Sequence, residues 1–176
     1  MLFGMTRHPP LLVVTGVSGS GKTTVGAALA GRLHVPFADA DDFHPPDNIA
    51  TMSAGIPLTD TDREPWLHAI GVWLDSRDET GGVVACSALK RRYRDVLRAA
   101  APRVSFIQLA GDIEVVRRRV AGRPGHFMPA SLVASQFAAL EPLAGDEPGV
   151  TLDLDRDVDR IVEEYLATAD KGVRRT

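Results

Sequence analysis

Eight consecutive residues near the start of the sequence have the types and spacing needed to hold a chain of phosphates. Residues 16–23 read GVSGSGKT and match the pattern G-x-x-x-x-G-K-[ST] without a gap. Glycines let the backbone N–H groups point at phosphate oxygens, Lys22 supplies a cation for the β and γ phosphates, and the Thr23 hydroxyl can hold Mg²⁺. We therefore predict binding of a nucleoside triphosphate by Gly16, Ser18, Gly19, Ser20, Gly21, Lys22, Thr23 and the adjacent Thr24.

An acidic run, made of Asp39, Asp41 and Asp42, is the second set of residues suited to chemistry. It follows a short apolar segment, and the carboxyl ends of strands line the ligand crevice of open α/β sheets. Asp39 and Asp41 are two residues apart, so on an extended segment their side chains point the same way. One can hold Mg²⁺ through water while the other accepts a proton from an acceptor hydroxyl. The alternative is a structural role in a turn, which we favour for Asp42.

The elements that must position these groups alternate between strand and helix. Apolar runs predict strands over 11–15, 35–38, 83–87, 104–109 and 150–154, with helically spaced apolar residues between them. Thr59 or Asp60 can cap one of these helices, and another, over 90–100, carries basic residues at positions that we predict to face solvent, including Arg94. This alternation predicts a three-layer α/β domain, a P-loop NTPase fold with a five-stranded parallel sheet.

The predicted domain boundaries follow from the same pattern. We expect a single domain over residues 11–169, with flexible ends over 1–10 and 170–176. Residues 44–58 are rich in proline, glycine and small polar residues, which indicates a functional loop with one helical turn at most. Proline and glycine at positions 124 and 125 must end a helix, and we predict a mobile lid at about 119–130.

Composition excludes several classes of protein. The chain has 176 residues and a formal net charge of -3, so it offers no general attraction to nucleic acid or to an anionic membrane. Cys86 is the single cysteine, which excludes a disulfide framework within the chain and fits a cytoplasmic protein. No apolar run approaches the roughly 20 residues of a membrane helix.

Among nucleotide-binding proteins, the sequence favours a small kinase. The Asn-Lys-x-Asp tetrad of guanine-nucleotide switches is absent from the sequence, and motor or transporter ATPases are far longer than this chain. A compact kinase that phosphorylates a small acceptor remains. The alternative from another class is a nucleotide-gated binding module without turnover.

Several longer strings resemble the gluconokinase family, over about residues 11–166 and in unbroken order. These strings are DADDFHP (39–45), MSAGIPLTD (52–60), DREPWL (62–67), CSALK (86–90), YRD (93–95), GHFM (125–128), SQF (135–137) and LEP (140–142). The resemblance implies transfer of the γ-phosphate of ATP, with Mg²⁺, to the 6-hydroxyl of D-gluconate by a cytosolic homodimer. A kinase of another small acid or polyol, such as shikimate, is the alternative.

The resemblance also implies roles for individual residues. Arg119 and Arg123 belong to the helix and lid that close over ATP, with Arg123 catalytic; a solvated helix face is the alternative for Arg119. By similarity to shikimate kinases, Asp41 is the substrate-side carboxylate and Asp39 lies nearer the metal. The predicted substrate-binding residues are Asp41, His44, Arg63, Lys90, His126 and Gln136. Four of them, His44, Arg63, Lys90 and Gln136, are also compatible with ordinary surface positions, and His126, in the predicted lid, can meet either ligand.

Overall fold

The computed structural model describes residues 8–122 and 130–173, which form a five-stranded parallel sheet between two layers of helices. The strands are β1 (Leu11–Thr15), β2 (Phe37–Asp39), β3 (Gly82–Ala85), β4 (Ser105–Ala110) and β5 (Gly149–Asp153). The helices are α1 (Lys22–Leu33), α2 (Pro46–Ser53), α3 (Asp60–Asp75), α4 (Arg91–Ala100), α5 (Ile113–Ala121), α6 (Ala130–Ala139) and α7 (Val158–Val173), and a 3₁₀ turn covers Ala40–Phe43. The predicted fold class is confirmed.

The two apolar layers of the core follow from the alternation of side chains along the central strand. Leu12 and Val14 of β1 pack on one face of the sheet with residues of α1, α5 and α7. Leu11 and Val13 pack on the other face with residues of α3 and α4. Both sets are buried, as expected for a parallel strand that is covered on both sides.

The strand order β2-β3-β1-β4-β5 brings three functional segments to one edge of the sheet. Because all pairings are parallel, the carboxyl ends of β1, β2 and β3 lie together. Residues 16–23 follow β1, Asp39 ends β2, and residues 86–90 follow β3. The crevice where ligands bind in such sheets is therefore lined by the segments that the sequence singled out.

Two regions of the structure differ from the prediction in length. The segment predicted to be a loop with at most one turn contains the eight-residue helix α2, which begins at Pro46, a residue suited to the first position of a helix. Helix α7 continues to Val173, past the predicted domain end at 169. No helix within residues 8–122 and 130–173 has the length and apolar character that a bilayer crossing requires.

The prediction that Arg94 faces solvent is wrong. Its side chain is 0% exposed and forms an ion pair with the equally buried Glu147, with Nε 2.7 Å from Oε1 and Nη2 3.0 Å from Oε2. The same guanidinium donates to the carbonyl oxygens of Ala88, Leu89 and Pro142. Its donors thus join the segment after β3 to the segment before β5. The helical spacing grouped Arg94 with the other basic residues of α4. Its buried partner, Glu147, lies 53 residues further along the sequence.

Candidate active site

The loop over residues 16–23 has the backbone conformation of a phosphate cradle. Gly19 and Gly21 have φ angles of 80° and 91°, in the left-handed region that favours glycine. A Cβ atom at Gly19 would also lie 2.7 Å from Cγ2 of Val120 on α5. Gly21 immediately precedes α1, so the N–H groups at the start of that helix face the loop. The glycines are therefore required by conformation and by packing.

The loop is fastened to the segment that follows β3. The N–H of Gly16 donates to the carbonyl oxygen of Ser87 at 3.4 Å, and the hydroxyl of Thr15 donates to the same oxygen. The next residue, Ala88, has a φ angle of 34°, which is unusual for a residue other than glycine. Arg94 holds the carbonyl group of Ala88 from the opposite side. The phosphate loop and residues 86–90 are thus one hydrogen-bonded unit.

Asp39 links the end of β2 to the phosphate loop. The hydroxyl of Thr23 donates to Oδ2 of Asp39 at 3.0 Å, and the N–H of Asp41 donates to Oδ1 at 3.0 Å. Asp39 caps the 3₁₀ turn that begins at Ala40, so Asp41 does not continue an extended strand. The expectation that both carboxylates share one face of an extended segment is therefore wrong, because the backbone turns between them.

A hydroxyl and a carboxylate in contact form a donor set of the kind that Mg²⁺ accepts, since this cation prefers oxygen ligands and retains several waters. Thr23 and Asp39 supply these two groups beside the phosphate loop. The residues that the structure describes contain no cluster of three or more acidic, histidine or cysteine ligands. The donor set therefore fits a cation that is shared with phosphate oxygens and water, and does not resemble an all-protein metal cage.

His44 is fixed near Asp41 by a stack of rings. Its imidazole lies 4.5 Å from the ring centre of Trp66, with an angle of 5° between the planes, and Nδ1 is 3.4 Å from Nδ2 of Asn48. Trp66 is held in turn by a hydrogen bond from Nε1 to the carbonyl oxygen of Ala40. Burial lowers the pKa of His44, the charge of Asp41 opposes that shift, and the charge of Arg63 adds to it. The charges of Asp41 and Arg63 therefore both act on the His44 imidazole.

The electrostatic surroundings of Cys86, which follows β3, show that charged groups from two segments of the crevice lie near this residue. Burial raises the pKa of its thiol to about 12, so it stays protonated, and it is 0% exposed. The charge of Lys22 acts on this thiol to lower the pKa, and the charges of Asp41 and Asp39 act to raise it. The phosphate-loop lysine and the two carboxylates thus all lie within electrostatic range of the residue that follows β3.

Lys90 and Arg63, the two predicted cations for an acidic substrate, both lie close to the ring of Tyr93. Nζ of Lys90 is 5.6 Å from the centre of the Tyr93 ring, and Cζ of Arg63 is 5.8 Å from it. Lys90 also forms an ion pair of 3.1 Å with Asp60. Sequence reasoning did not assign Asp60 or Tyr93 to the site, although both lie in strings that carry the family resemblance.

Gln136 lies against the phosphate loop. The N–H of Ser18 donates to Oε1 of Gln136 at 2.6 Å, and Nε2 of Gln136 lies 3.1 Å from the hydroxyl oxygen of Ser18. These two contacts join α6 to the loop. The predicted contact of Gln136 with the substrate stays a prediction.

A cleft of about 430 Å³ lies beside the phosphate loop, on the side of the loop that faces α5 and α7. Arg119 crosses it, donating to the carbonyl oxygens of Ser20 at 3.3 Å and Leu154 at 2.6 Å. The predicted Thr24 also lines the cleft, together with Arg118 and Arg156. Arg119 and Thr24 are therefore placed to contact a nucleotide that is bound by the loop. Arg123 and His126 lie outside the residues that the structure describes.

Comparisons with known proteins show which families of kinases the chain is similar to. A family model described as shikimate kinase matches residues 18–136. The thermosensitive gluconokinase of Escherichia coli (strain K12) is 46% identical over 156 residues, which cover 86% of this chain and 83% of that protein. The gluconokinase of Gluconobacter oxydans (strain 621H) is 44% identical, covering 92% of this chain and 96% of that protein. A crystal structure of a gluconokinase from Sinorhizobium meliloti 1021 is 48% identical, with a TM-score of 0.87 and 96% of both chains covered.

The fold, the phosphate loop and the family match define a class: the chain is a P-loop kinase of the shikimate kinase type, for which ATP is the co-substrate. The relatives narrow this class further. At identities of 44% and 46% over most of its length, the chain belongs to the gluconokinase family.

Proposed function

We propose that this protein is a gluconokinase that transfers the γ-phosphate of ATP to the 6-hydroxyl of D-gluconate, giving ADP and 6-phospho-D-gluconate. The observation that carries the proposal is the pair of carboxylates after β2. Asp39 is hydrogen-bonded to Thr23 of the phosphate loop and to the N–H of Asp41, and the charges of Asp41 and Arg63 both act on His44, so that phosphate-side and acceptor-side groups adjoin. The names of the relatives supply the acceptor, gluconate.

On the phosphate side, the protein stabilises negative charge. Phosphoryl transfer spreads charge over the equatorial oxygens while attacking and leaving oxygens stay in line, so positioning and electrostatics dominate catalysis. We assign to the backbone N–H groups of the loop and to Lys22 the binding of the β and γ phosphates. Mg²⁺, held by Thr23 and directly or through water by Asp39, supplies further neutralisation of the phosphate oxygens when it is bound. Arg119, and Arg123 as the predicted catalytic arginine, complete the cationic surroundings.

On the acceptor side, Asp41 is the proposed base. Its carboxylate takes the proton of the 6-hydroxyl while the hydroxyl oxygen forms the new bond to phosphorus and the bond between phosphorus and the leaving oxygen of ADP breaks. Gluconate is an anion that carries a row of hydroxyl groups, so its site needs a cation and several hydrogen-bonding groups. Arg63 is the proposed cation for the carboxylate, Lys90 is the second cation that the family resemblance implies near this site, and His44, His126 and Gln136 are proposed partners for hydroxyl groups.

An acceptor panel tests this assignment. Purified protein with Mg-ATP is given D-gluconate, shikimate, other aldonates and neutral polyols, and ADP is followed with a coupled assay. We expect ADP formation with gluconate to exceed the rate in acceptor-free buffer by orders of magnitude and to exceed that with shikimate. A preference for another acceptor would reject gluconate but keep the kinase, whereas tight ATP binding with no response to any acceptor would favour a binding module.

Assembly and location stay predictions that rest on the family resemblance, namely a homodimer in the cytoplasm. Light scattering on the purified protein measures the first. A mass near twice 18.9 kDa supports the dimer, and a mass near the single-chain value contradicts it.

A further inference from the structure

Asp60, to which no role has been assigned, is the centre of a charged cluster beside the proposed acceptor site. Its carboxylate accepts hydrogen bonds from Nζ of Lys90 at 3.1 Å, from Nη1 of Arg92 at 2.8 Å and from the hydroxyl of Tyr93. Asp60 is the first residue of α3, and Lys90 caps α4. One carboxylate therefore fixes the start of α3 against the start of α4.

The cluster treats the two predicted substrate cations differently. The ammonium of Lys90 is paired with the carboxylate of Asp60. The hydrogen bond between them raises the pKa of Lys90, and their charges offset each other. Arg63 has no ion pair with any carboxylate in the described part of the chain; its Nη2 lies 3.4 Å from the carbonyl oxygen of Leu58, and its guanidinium lies over the Tyr93 ring. Arg63 thus has no direct carboxylate partner in that part of the chain, and its charge acts on His44 and on Asp62.

We propose that Asp60 is a positioning residue for the acceptor site: it holds Lys90 and Tyr93 in place, and the Tyr93 ring supports Arg63 as the cation that meets the carboxylate of the sugar acid. This inference rests on the proposed function. In it, Lys90 acts through Asp60 and does not itself bind the substrate. Tyr93 is the link, because its hydroxyl is bound by Asp60 while its ring lies beside Arg63.

A double-mutant cycle separates this arrangement from direct binding by Lys90. The variants are Asp60→Asn, Lys90→Met and the combination of both, and Asp78→Asn is the matched control. Asp78 forms an ion pair of 2.7 Å with Arg103, and the exposure of that pair, 44% and 33%, is close to that of Asp60 and Lys90, 33% and 34%. The control therefore removes a comparable carboxylate that belongs to no part of the cluster.

We expect each single variant to raise the KM for gluconate about tenfold, the size of effect that the loss of a charge-assisted hydrogen bond produces. The KM for ATP stays within about twofold. Because both variants break the same unit, the double variant raises the KM for gluconate no further than the larger single effect. Asp78→Asn keeps the KM values of the unmodified protein.

Other outcomes overturn the inference. If the effects of Asp60→Asn and Lys90→Met multiply, Lys90 contacts the substrate by itself; if Asp60→Asn behaves like Asp78→Asn, or raises both KM values equally, Asp60 only supports the fold. Should Asp60→Asn fail to fold, Tyr93→Phe removes one donor and keeps the ring, and an unchanged KM for gluconate there also overturns the inference. Absence of gluconate-dependent ADP from the unmodified protein is a separate result, which rejects the proposed function and the inference with it.

Discussion

The hydroxyl of Thr23 lies 3.0 Å from Oδ2 of Asp39 and donates a hydrogen bond to it, which joins the last residue of the phosphate loop to the end of β2. Asp39 ends β2, whereas Thr23 lies at the start of α1, after the loop that follows β1, and these two strands are not neighbours, since β3 lies between them. The contact therefore spans the crevice at the point where the proposed Mg²⁺ binds.

Asp39→Asn is expected to raise the concentration of Mg²⁺ needed for half-maximal activity by about tenfold or more, because an amide oxygen replaces an anionic partner of the cation. The measurement is the initial rate against free Mg²⁺ at saturating ATP. Asp42→Asn, an exposed neighbour, is the control and keeps the original Mg²⁺ dependence. An unchanged Mg²⁺ requirement in Asp39→Asn would move the cation site elsewhere.

Lys22→Ala is expected to reduce kcat by at least two to three orders of magnitude, about the loss seen when one preorganised group that stabilises developing charge is removed. Circular dichroism and the melting temperature show whether the fold is kept. Lys171→Ala, at an exposed position of α7, controls for the loss of a lysine. A value of kcat within tenfold of the original would reject the proposed role of Lys22.

Asp41→Asn is expected to abolish phosphorylation while ATP still binds. An amide cannot accept the hydroxyl proton in the way a carboxylate does, and the hydrogen bond from Asp41 to Asp39 is made by the backbone N–H, which the replacement keeps. Calorimetric titration with an ATP analogue measures binding, and the coupled assay measures turnover. A variant with substantial activity would place the base at another residue.

The buried pair of Arg94 and Glu147 predicts a pH dependence of stability. Burial alone would raise the pKa of Glu147, but hydrogen bonds from Arg94 and from the Ala144 amide outweigh it, so the pKa is lowered from 4.5. A carboxyl whose pKa is lower in the folded state contributes stability above its unfolded pKa and loses it as the pH falls through the folded pKa. We therefore expect the free energy of unfolding to decline below about pH 5 more steeply in the original protein than in Glu147→Gln.

Urea unfolding at several pH values between about 2 and 7 measures this difference. Carboxylates outside the pair, such as Asp146, titrate in both proteins and cancel in the comparison. Glu147→Gln should also be less stable at pH 7, because it leaves the Arg94 charge buried without a counterion. Parallel curves for the two proteins would contradict the account of this pair.

The sequence predicted the parts of the site that are encoded locally. The phosphate loop is a continuous string whose chemistry follows from residue types and spacing, and Thr23 and Asp39 do lie together, as expected for residues near the carboxyl ends of strands in an open parallel sheet. His34, the residue that caps the end of α1, adopts a left-handed φ of 55°, the conformation that glycine usually takes at this position. Local rules were sufficient in these cases.

The parts that failed depend on partners distant along the chain. Arg94 has the same helical spacing as exposed arginines, and only Glu147 distinguishes it. Asp60 lies in the first turn of a helix, where aspartate is common because it interacts favourably with the helix dipole. Its contacts with Lys90 and Tyr93 therefore could not be recognised from the sequence. Asp41 was expected to share an extended segment with Asp39, but the backbone turns at Ala40, where the 3₁₀ turn that Asp39 caps begins.

The central claim is that γ-phosphate passes from ATP to the 6-hydroxyl of gluconate in the crevice between Thr23 and Arg63. Phosphorus NMR of a reaction containing the protein, Mg-ATP and D-gluconate tests it directly. We predict one phosphomonoester, coupled to the C6 protons of gluconate, for each ADP formed, and none when gluconate is omitted. Release of inorganic phosphate alone, or a spectrum in which ATP persists, would contradict the account.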